Sequence, residues 1–423
     1  MKTCNVLIVC NLSKLHGVGT HSIRMSRLNT LDNFNIVYYN CSMPSSYARE
    51  YISLNNAQII NAENTMIQSN IVVKYIRLFC NFIYLTNIKK KLFQVYTNKY
   101  IPDIIYSVSS ETLALSFLIQ YIFPNSKLVT AVLHPGEYSW KPNRQNLFSI
   151  FTKRLIQCLP SENIFSMNES VLYAHKTYVS KSEIVPIFID IERFLIKRTP
   201  NKRKVLSVGQ IIPFKTYNFY MLDVIKNLIS AGYDYEYHIY GHGTQVNELI
   251  EEIKNKSLEN VIFFHGEIGY DDLPSVFADA YVFIGMGTTI IEASASGIPS
   301  ILASPTKKAV SYGWFFDQKD YNVGEFLADK CPSHNVENML KYVYNISDLE
   351  YKCLSEKSIE KARSFSFDSI SKIFVEKIFN ARENNKINIR GWLLFIRLEK
   401  LLHKIFKRTD PNLNRRNVIQ NNT

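Results

Sequence analysis

Cysteine is scarce in this chain of 423 residues, and its arrangement does not suit disulfides or metals. The seven cysteines are an odd number and include no Cys-x-x-Cys pair. A secreted disulfide framework and a zinc knuckle are therefore both disfavoured. Because free thiols persist most easily in a reducing compartment, we expect a cytoplasmic protein.

Long apolar runs are also missing. No uninterrupted apolar stretch reaches the roughly 18 residues that a membrane-spanning helix needs. The nearest candidate, Val72–Ile88, is interrupted by two basic residues and two asparagines. The run Val6–Cys10 is too short for a signal peptide, so we expect a soluble chain. Internal repeats are absent, and only the Asn/Arg-rich last dozen residues are predicted to be disordered.

The chain has enough apolar material for more than one core. With 46% hydrophobic residues, it can bury two cores, and its length predicts two or three domains. The first half alternates apolar, β-rich runs with helical spacing, which predicts an α/β doubly wound sheet. The predicted strands are Val6–Cys10, Asn35–Tyr39, Asp103–Val108 and Lys127–Leu133, and helices are predicted over Ser110–Ile122, Asp271–Ala280 and Ser358–Asn380.

The most informative segment is Val261–Pro305, which reads as strand, short helix, strand, glycine turn, helix, strand. Gly285–Gly287 turns the chain into a helix that begins near Thr288, and Gly297 ends that helix. Free N–H groups at such a helix start suit a diphosphate, and Glu292 on the same helix suits a ribose diol. Turns of this kind are more often structural when they stand alone.

Four further segments accompany it in a fixed order. The five segments are Cys4–Met25, Val185–Phe194, Val205–Phe219, Glu236–Leu249 and Val261–Pro305. Together they resemble the landmarks of GT-B glycosyltransferases, particularly group four, which includes bacterial lipopolysaccharide, capsule and exopolysaccharide enzymes. The likeness is specific from about residue 185 to 305 and loose before that. It implies two facing doubly wound Rossmann-like domains with the active site between them.

The resemblance also implies site residues and a reaction. A nucleotide sugar would bind the second domain, with Lys215 catalytic against the leaving diphosphate and no cofactor. Lys215 and helix N-terminal amides would take the part of a metal, so we predict none. The implied donor-binding residues are Gly209, Lys215, Gly241, Gly243, Gly266, Gly285, Gly287, Thr288, Thr289 and Glu292.

The sequence departs from the family pattern at three places. Ile284 stands where the family has its first motif glutamate, Gln210 replaces the usual arginine, and Ile187-Phe188 replaces Asn-Gly in the linker. Either this branch binds its donor differently or its catalytic power is reduced. We favour the first, because Gly285 and Gly287 of the glycine turn remain, together with Glu292 and Lys215.

Acceptor-side residues are predicted in the first half. The loop containing His134 and Glu137 follows a predicted strand, where ligands of open α/β sheets bind. His134 is our second catalytic candidate, as a hydrogen-bond donor or general base, and the alternative is a structural turn. Gly17 and Gly19 form a glycine loop, but Ser22 stands where a dinucleotide site needs its third glycine.

Metal motifs are weak. The nearest approaches to an Asp-x-Asp motif are Asp190–Glu192 and Asp234–Glu236. Neither follows a glycine turn, and we interpret both as structural.

The last part of the chain is strongly basic. Residues 390–416 hold eight Lys and Arg against two acidic residues, a balance of +6, which is half of the whole chain's +12. Basic and apolar stripes at helical spacing predict an amphipathic helix on a membrane surface. The alternative is a helix docked on its own protein, and nucleic acid is disfavoured because no binding motif accompanies the charge.

These observations give a domain plan. We predict an acceptor-binding domain over residues 1–184, a linker over 185–203 and a donor-binding domain over 204–355. Residues 356–388 form a helix crossing back to the first domain, and residues 389–423 form the basic helix and tail.

The favoured hypothesis is a glycosyltransferase that moves a hexose-type sugar from a nucleotide diphosphate to an acceptor hydroxyl. The acceptor would be a lipid-linked or surface glycan, and the enzyme would lie peripherally on the inner face of the cell membrane. Three alternatives stay open: a degenerate GT-B scaffold, a GT-B nucleotide-sugar epimerase and a Rossmann oxidoreductase.

Overall fold

The computed structural model describes most of the chain outside its last forty residues. The described residues are 3–13, 17–41, 43–61, 101–138, 147–176, 179, 181–325 and 331–385. Both halves are built from alternating strands and helices, and two compact units result. The first unit takes its described residues from 1–167, 174–185 and 371–418, and the second from 168–173 and 186–370.

The first unit contains a parallel sheet with seven strands among the described residues, in the order β3-β2-β1-β4-β5-β6-β7. The strands are β1 (Cys4–Cys10), β2 (Phe34–Asn40), β3 (Gln58–Asn61), β4 (Ile104–Ser107), β5 (Lys127–Val132), β6 (Ile164–Ser166) and β7 (Glu183–Ile184). The order reverses at β1 and β4, as in doubly wound folds. Strand β1 is almost wholly buried, because helices cover both faces of such a sheet.

The helices of this part lie between consecutive strands or follow the second unit. They are Gly17–Arg24, Ser46–Leu54, Ser110–Ile122, Leu147–Gln157, Glu169–His175 and Phe367–Phe379, with 3-10 turns at Met25–Thr30 and Ser161–Asn163. The last helix completes the core of the first unit. Its Phe374 ring lies edge-on to Tyr106 and Phe165, with centroids 5.6 and 5.9 Å away.

The second unit contains another sheet with seven strands in the described chain, in the order β10-β9-β8-β11-β12-β13-β14. The strands are β8 (Lys204–Val208), β9 (Glu236–Tyr240), β10 (Ile262–Gly266), β11 (Val282–Gly285), β12 (Ser300–Ala303), β13 (Val310–Trp314) and β14 (His334–Asn335). The first five are parallel, and β13 and β14 run antiparallel to their neighbours.

Helices surround this second sheet. They are Ile191–Phe194, Tyr217–Ser230, Val246–Asn255, Leu273–Phe277, Thr288–Ala295, Val336–Asn345 and Asp348–Arg363, with 3-10 turns at Tyr270–Asp272 and Phe315–Asp317. The α/β class with two largely parallel sheets, predicted from the sequence, is confirmed. The predicted domain boundaries stay a prediction.

Two predicted helices differ from the structure. The helix predicted over Asp271–Ala280 is a 3-10 turn followed by Leu273–Phe277. It ends early because the carbonyl groups of residues 278 and 279 accept hydrogen bonds from Thr199 and Asn201 instead of continuing a helix.

The helix predicted over Ser358–Asn380 is in fact two helices, Asp348–Arg363 and Phe367–Phe379. The break lies at Ser366, whose hydroxyl oxygen accepts from the Ser369 N–H and so starts a new helix. Ser366 also pairs with Ile189 in an isolated parallel bridge.

Membrane contact was predicted for the basic C-terminal helix, which lies outside the described residues. Among the helices of the described chain, none is long and apolar enough to cross a bilayer.

Candidate functional site

The glycine turn, Gly285–Gly287, lies at the carboxyl end of β11. A side chain at Gly285 would meet the Phe283 ring, whose Cε1 atom is 2.6 Å from the position of a Cβ. Gly287 has a φ of +82°, a conformation that glycine adopts without strain. Its N–H donates to the Val323 carbonyl at 2.7 Å. Residue type and backbone bonding together therefore fix the shape of this turn.

The helix that follows the glycine turn, Thr288–Ala295, presents its N-terminus at this edge of the sheet. The first N–H groups of a helix lack intrahelical partners, and they carry a partial positive charge. The Thr289 hydroxyl donates to the Val208 carbonyl at 2.9 Å, which ties the helix start to the end of β8. The result is a fixed cluster of donors suited to an anion.

Lys215 adds a full positive charge beside this helix start. Its ammonium nitrogen lies 3.5 Å from the Met286 carbonyl oxygen within the glycine turn. The same nitrogen is 2.8 Å from the position that a Cβ on Gly209 would occupy, so Gly209 leaves it room. The structure thus brings Lys215 to both the β8 and the β11 turn.

Gly241 and Gly243 hold the neighbouring loops close together. A Cβ on Gly241 would lie 1.8 Å from the Gly209 carbonyl oxygen, and one on Gly243 would lie 2.1 Å from that of Ile211. Only glycine permits this approach of one backbone to another. Gly266 has open space around it, and its carbonyl accepts from the Gly241 N–H at 2.7 Å.

Glu292 is buried on the helix after the glycine turn, with 1% of its surface exposed. Its Oε1 atom accepts a hydrogen bond from the Tyr270 hydroxyl at 3.2 Å. The Arg193 guanidinium stacks on the Tyr270 ring, 4.6 Å from its centroid, and forms an ion pair with Asp271. Tyr270 and Arg193 were missed in the sequence, because neither belongs to a glycine turn.

The acceptor-side candidates lie on the first unit. His134 follows β5, and its Nδ1 atom accepts from the Gly136 N–H at 2.9 Å. In the neutral ring the proton is therefore on Nε2, which makes the outer nitrogen a hydrogen-bond donor. Glu137 is nearly buried, and its Oε2 atom accepts from the Ser110 N–H at 3.4 Å, at the start of a helix.

Gly17 and Gly19 begin the helix after β1, so they lie at the same edge of the first sheet as His134. Parallel strands place their carboxyl ends together, and ligands of open α/β sheets bind at that edge. Gly17 is exposed, and no atom lies within 4 Å of the position its Cβ would take. Gly19 is buried.

His21, on the same helix, is buried and belongs to the core. Burial lowers the pKa of its ring to about 3, with a smaller contribution from Arg24, so the ring is neutral near neutral pH.

Two of the three departures from the family pattern lie in or beside the turns of this site. Ile284 is wholly buried in β11 and belongs to the core of the second unit. Gln210 follows Gly209 in the β8 turn.

Acidic groups show no arrangement for a metal in the described part of the chain. No group of three or more His, Cys, Asp or Glu side chains there is placed to hold an ion. Asp234 and Glu236 both form ion pairs with Arg203, at 2.9 and 2.8 Å.

Comparison with known proteins identifies the segment that carries these features. Residues 189–311 match the sequence model of the family described as glycosyl transferases group 1. Mannosylfructose-phosphate synthase of Agrobacterium fabrum is 28% identical over 141 residues. That match covers 28% of this chain and spans 31% of the relative's length. The residues predicted to bind the donor, from Gly209 to Glu292, lie within the matched family segment.

Solved structures resemble the chain over most of its length. An S. aureus TarM mutant in complex with fondaparinux, alpha-GlcNAc-glycerol and UDP has a TM-score of 0.60 at 13% identity. The match covers 89% of this chain and 99% of that one. Sucrose-phosphate synthase from Thermosynechococcus elongatus has a TM-score of 0.61 at 12% identity, covering 89% and 98%. The chain therefore has the GT-B fold, and the segment that matches the group 1 glycosyl transferase model lies in its second unit.

Proposed function

We propose that this protein is a glycosyltransferase that moves a sugar from a nucleoside diphosphate donor to an acceptor hydroxyl. The observation that carries the proposal is the anion site of the second unit. Lys215 lies 3.5 Å from the glycine turn, and that turn opens a helix whose N-terminal donors face the same edge. The matched family segment contains all of these groups.

The chemistry follows from where charge develops. When the bond between the sugar and the diphosphate breaks, negative charge grows on the leaving phosphate. Lys215 and the N–H groups at the start of the Thr288–Ala295 helix are fixed before the reaction and stabilise that charge. The donor therefore needs no metal in this proposal, and the ribose is assigned to Glu292.

The proposal assigns the acceptor to the first unit. The Nε2–H of His134 would donate a hydrogen bond to a hydroxyl group of the acceptor substrate or of the donor sugar. Such a bond positions the hydroxyl group without removing its proton. Such a role suits a retaining reaction, in which no strong base is required. The family likeness implies retention, and the neutral tautomer of His134 supports it.

The acceptor class is proposed from the sequence. A basic, amphipathic segment over residues 390–416 favours a protein that works at an anionic membrane surface. A lipid-linked or surface glycan, as in lipopolysaccharide or capsule synthesis, fits an enzyme at the inner face of the membrane. The group-four assignment belongs to the same proposal.

A second candidate, a GT-B scaffold that binds a partner without catalysis, is favoured by two residues. Ile284 and Gln210 both replace charged residues of the family pattern. A scaffold of this kind predicts no nucleotide affinity. Titration with UDP and GDP by calorimetry separates the candidates, because an enzyme binds at least one nucleotide and a scaffold binds neither.

Turnover then identifies the reaction. The protein is incubated with a panel of UDP- and GDP-sugars, and release of the nucleotide is followed by mass spectrometry. Slow release of the nucleotide that accelerates when an acceptor is added supports transfer of the sugar to that acceptor. Conversion of the sugar nucleotide to an isomer of the same mass, separated by chromatography and formed without an acceptor, would support the epimerase. Binding of NADH instead of UDP would support the oxidoreductase.

The ribose assignment has its own test. Glu292→Gln should weaken UDP binding by roughly tenfold or more, since a hydrogen bond to a charged group is lost. Tyr270→Phe is the matched variant, because it removes the hydroxyl that bonds Glu292 and keeps the ring on Arg193. An unchanged UDP dissociation constant in Glu292→Gln contradicts the assignment.

A further inference from the structure

The loop Asp320–Glu325 is bonded directly to the glycine turn. The Gly287 N–H donates to the Val323 carbonyl at 2.7 Å. Gly324 packs against the same turn, since a Cβ there would lie 2.5 Å from that of Met286, and its φ is +98°. Whatever this loop carries is therefore held beside the anion site.

The loop carries polar side chains that are buried. Asn322 is fully buried, and its Oδ1 atom accepts from the Gly324 and Glu325 N–H groups at 3.0 and 3.1 Å. Its Nδ2 atom is buried and has no hydrogen-bond partner among the described residues. A buried hydrogen-bond donor without a partner destabilises the folded state, so its retention needs a reason.

Glu325 ends the described part of the loop with 6% of its surface exposed. Its Oε2 atom accepts from the Nδ2 atom of Asn168, itself buried, at 2.9 Å. Burial raises the pKa of the Glu325 carboxyl to about 7, and the Asn168 bond opposes the rise. An apolar residue would fill such a position at lower cost, because a buried carboxyl is stabilised only by its partners.

The loop supplies a carboxyl group beside the glycine turn, which follows Ile284, a position where this chain lacks the carboxyl group of the family pattern. The family pattern places a glutamate there, on the strand that enters the glycine turn, and this chain has a buried isoleucine. The loop that contacts the next residues of the turn supplies a carboxyl group and an amide of its own. These two groups have the chemistry that recognises sugar hydroxyls, one as acceptor and one as donor.

We propose that Asn322 and Glu325 bind hydroxyl groups of the donor sugar, with Glu325 in place of the carboxylate missing at Ile284. The inference rests on the proposed function and specifies the part of the donor that this loop contacts. A hydroxyl group would satisfy the Asn322 Nδ2 donor. The sugar, and not the nucleotide, then depends on this loop.

The test compares UDP with a UDP-sugar in the full-length protein. The wild type is first assayed for turnover of UDP-glucose, UDP-galactose and UDP-GlcNAc. Dissociation constants are then measured for UDP and for the UDP-sugar that is turned over fastest. Glu325→Gln should keep UDP affinity within about twofold and weaken the UDP-sugar by roughly tenfold, as expected for a lost bond to a charged group. Asn322→Asp keeps the Oδ1 acceptor of the turn and removes the Nδ2 donor, so it should act in the same direction.

Controls separate binding from folding. Glu337→Gln changes a carboxyl of the same unit that pairs with Lys341, and it should leave both affinities unchanged.

If Glu325→Gln and Asn322→Asp lower the melting temperature while the UDP to UDP-sugar ratio stays constant, the loop is structural and the inference is wrong. An unchanged ratio without any loss of stability overturns it equally. Failure of the wild type to bind either UDP or GDP, or to turn over any UDP- or GDP-sugar, contradicts the proposed donor class itself.

Discussion

Substitution of Lys215 should affect catalysis more than donor binding. Its ammonium nitrogen lies near the glycine turn, where a leaving diphosphate gains charge as the reaction proceeds. We expect Lys215→Ala to lower kcat by about 10²–10³, the usual loss for a group that stabilises developing charge, with a smaller rise in KM. Steady-state kinetics on the best donor of the panel measures both.

Lys215→Met is the matched control, because it keeps an unbranched apolar stem in the space beside Gly209 and removes only the charge. It should lose as much kcat as the alanine variant. A change confined to the melting temperature would mean that Lys215 is structural and that the leaving group has another partner.

The raised pKa of the Glu325 carboxyl group leads to a prediction of how the stability of the protein depends on pH. Its folded pKa is about 7 against an ordinary 4.5, so between these values the folded state holds a proton that the unfolded state has lost. Stability therefore falls as pH rises from about 4.5 to 7 and stays lower above that window. At about 1.4 kcal/mol per pKa unit, the fall is about 3 kcal/mol.

Urea unfolding at pH 5 and pH 8 measures this difference. The Glu325→Gln variant should lose less stability between the two values than the wild type, since glutamine does not titrate. Equal losses in both proteins would show that the Glu325 carboxyl does not control this pH dependence.

At the scale of elements, the loops that follow β8 and β9 approach each other very closely beside the site, at Gly209 and Gly241. Gly241→Ala would place a methyl group 1.8 Å from the Gly209 carbonyl oxygen. We expect a loss of at least about 1–3 kcal/mol, typical of overpacking, together with weaker UDP binding because Gly209 must move.

Gly232→Ala is the control, because Gly232 also has a positive φ but no atom within 4 Å of its Cβ position. Chemical unfolding of both variants isolates the close approach from backbone strain. Similar losses of stability in the two variants would show that the close approach of Gly241 to Gly209 is not the cause.

Elements governed by local pattern could be predicted from the sequence, and those governed by distant partners could not. The predicted helix Ser110–Ile122 has the same bounds in the structure, because Ser109 caps it and its spacing is regular. The glycine turn and its helix were also predicted. The helix over Asp271–Ala280 was too long, since its end is decided by residues 199 and 201, far away in the sequence.

The same distinction holds for the site. Gly285, Gly287 and Lys215 belong to short motifs that a reader of the sequence can find. Tyr270 on Glu292 is a contact across 22 residues, and Asn168 on Glu325 is one across 157 residues. No periodicity or spacing signals such contacts, so the structure was needed to find them.

At the scale of the whole molecule, the prediction concerns the basic tail. Removal of residues 390–423 should leave a folded protein and preserve activity on a short acceptor without lipid. Binding to vesicles that contain anionic lipid should fall sharply, as measured by co-sedimentation. For the intact chain this binding should weaken as salt rises, because charges at a surface are screened over about 8 Å at physiological ionic strength.

Some binding of the intact chain should persist at high salt, since the apolar face of the helix is not screened. Precipitation or early melting of the truncated protein would show instead that the tail is part of the fold.

The helix Phe367–Phe379 has a consequence for synthesis on the ribosome. Phe374, which packs between Tyr106 and Phe165, is translated after nearly all of the second unit. The core of the first unit therefore lacks this ring until residues 186–370, which form most of the second unit, have been translated. We therefore expect nascent chains of this protein to complete their first unit last, the reverse of the usual N-terminal-first order.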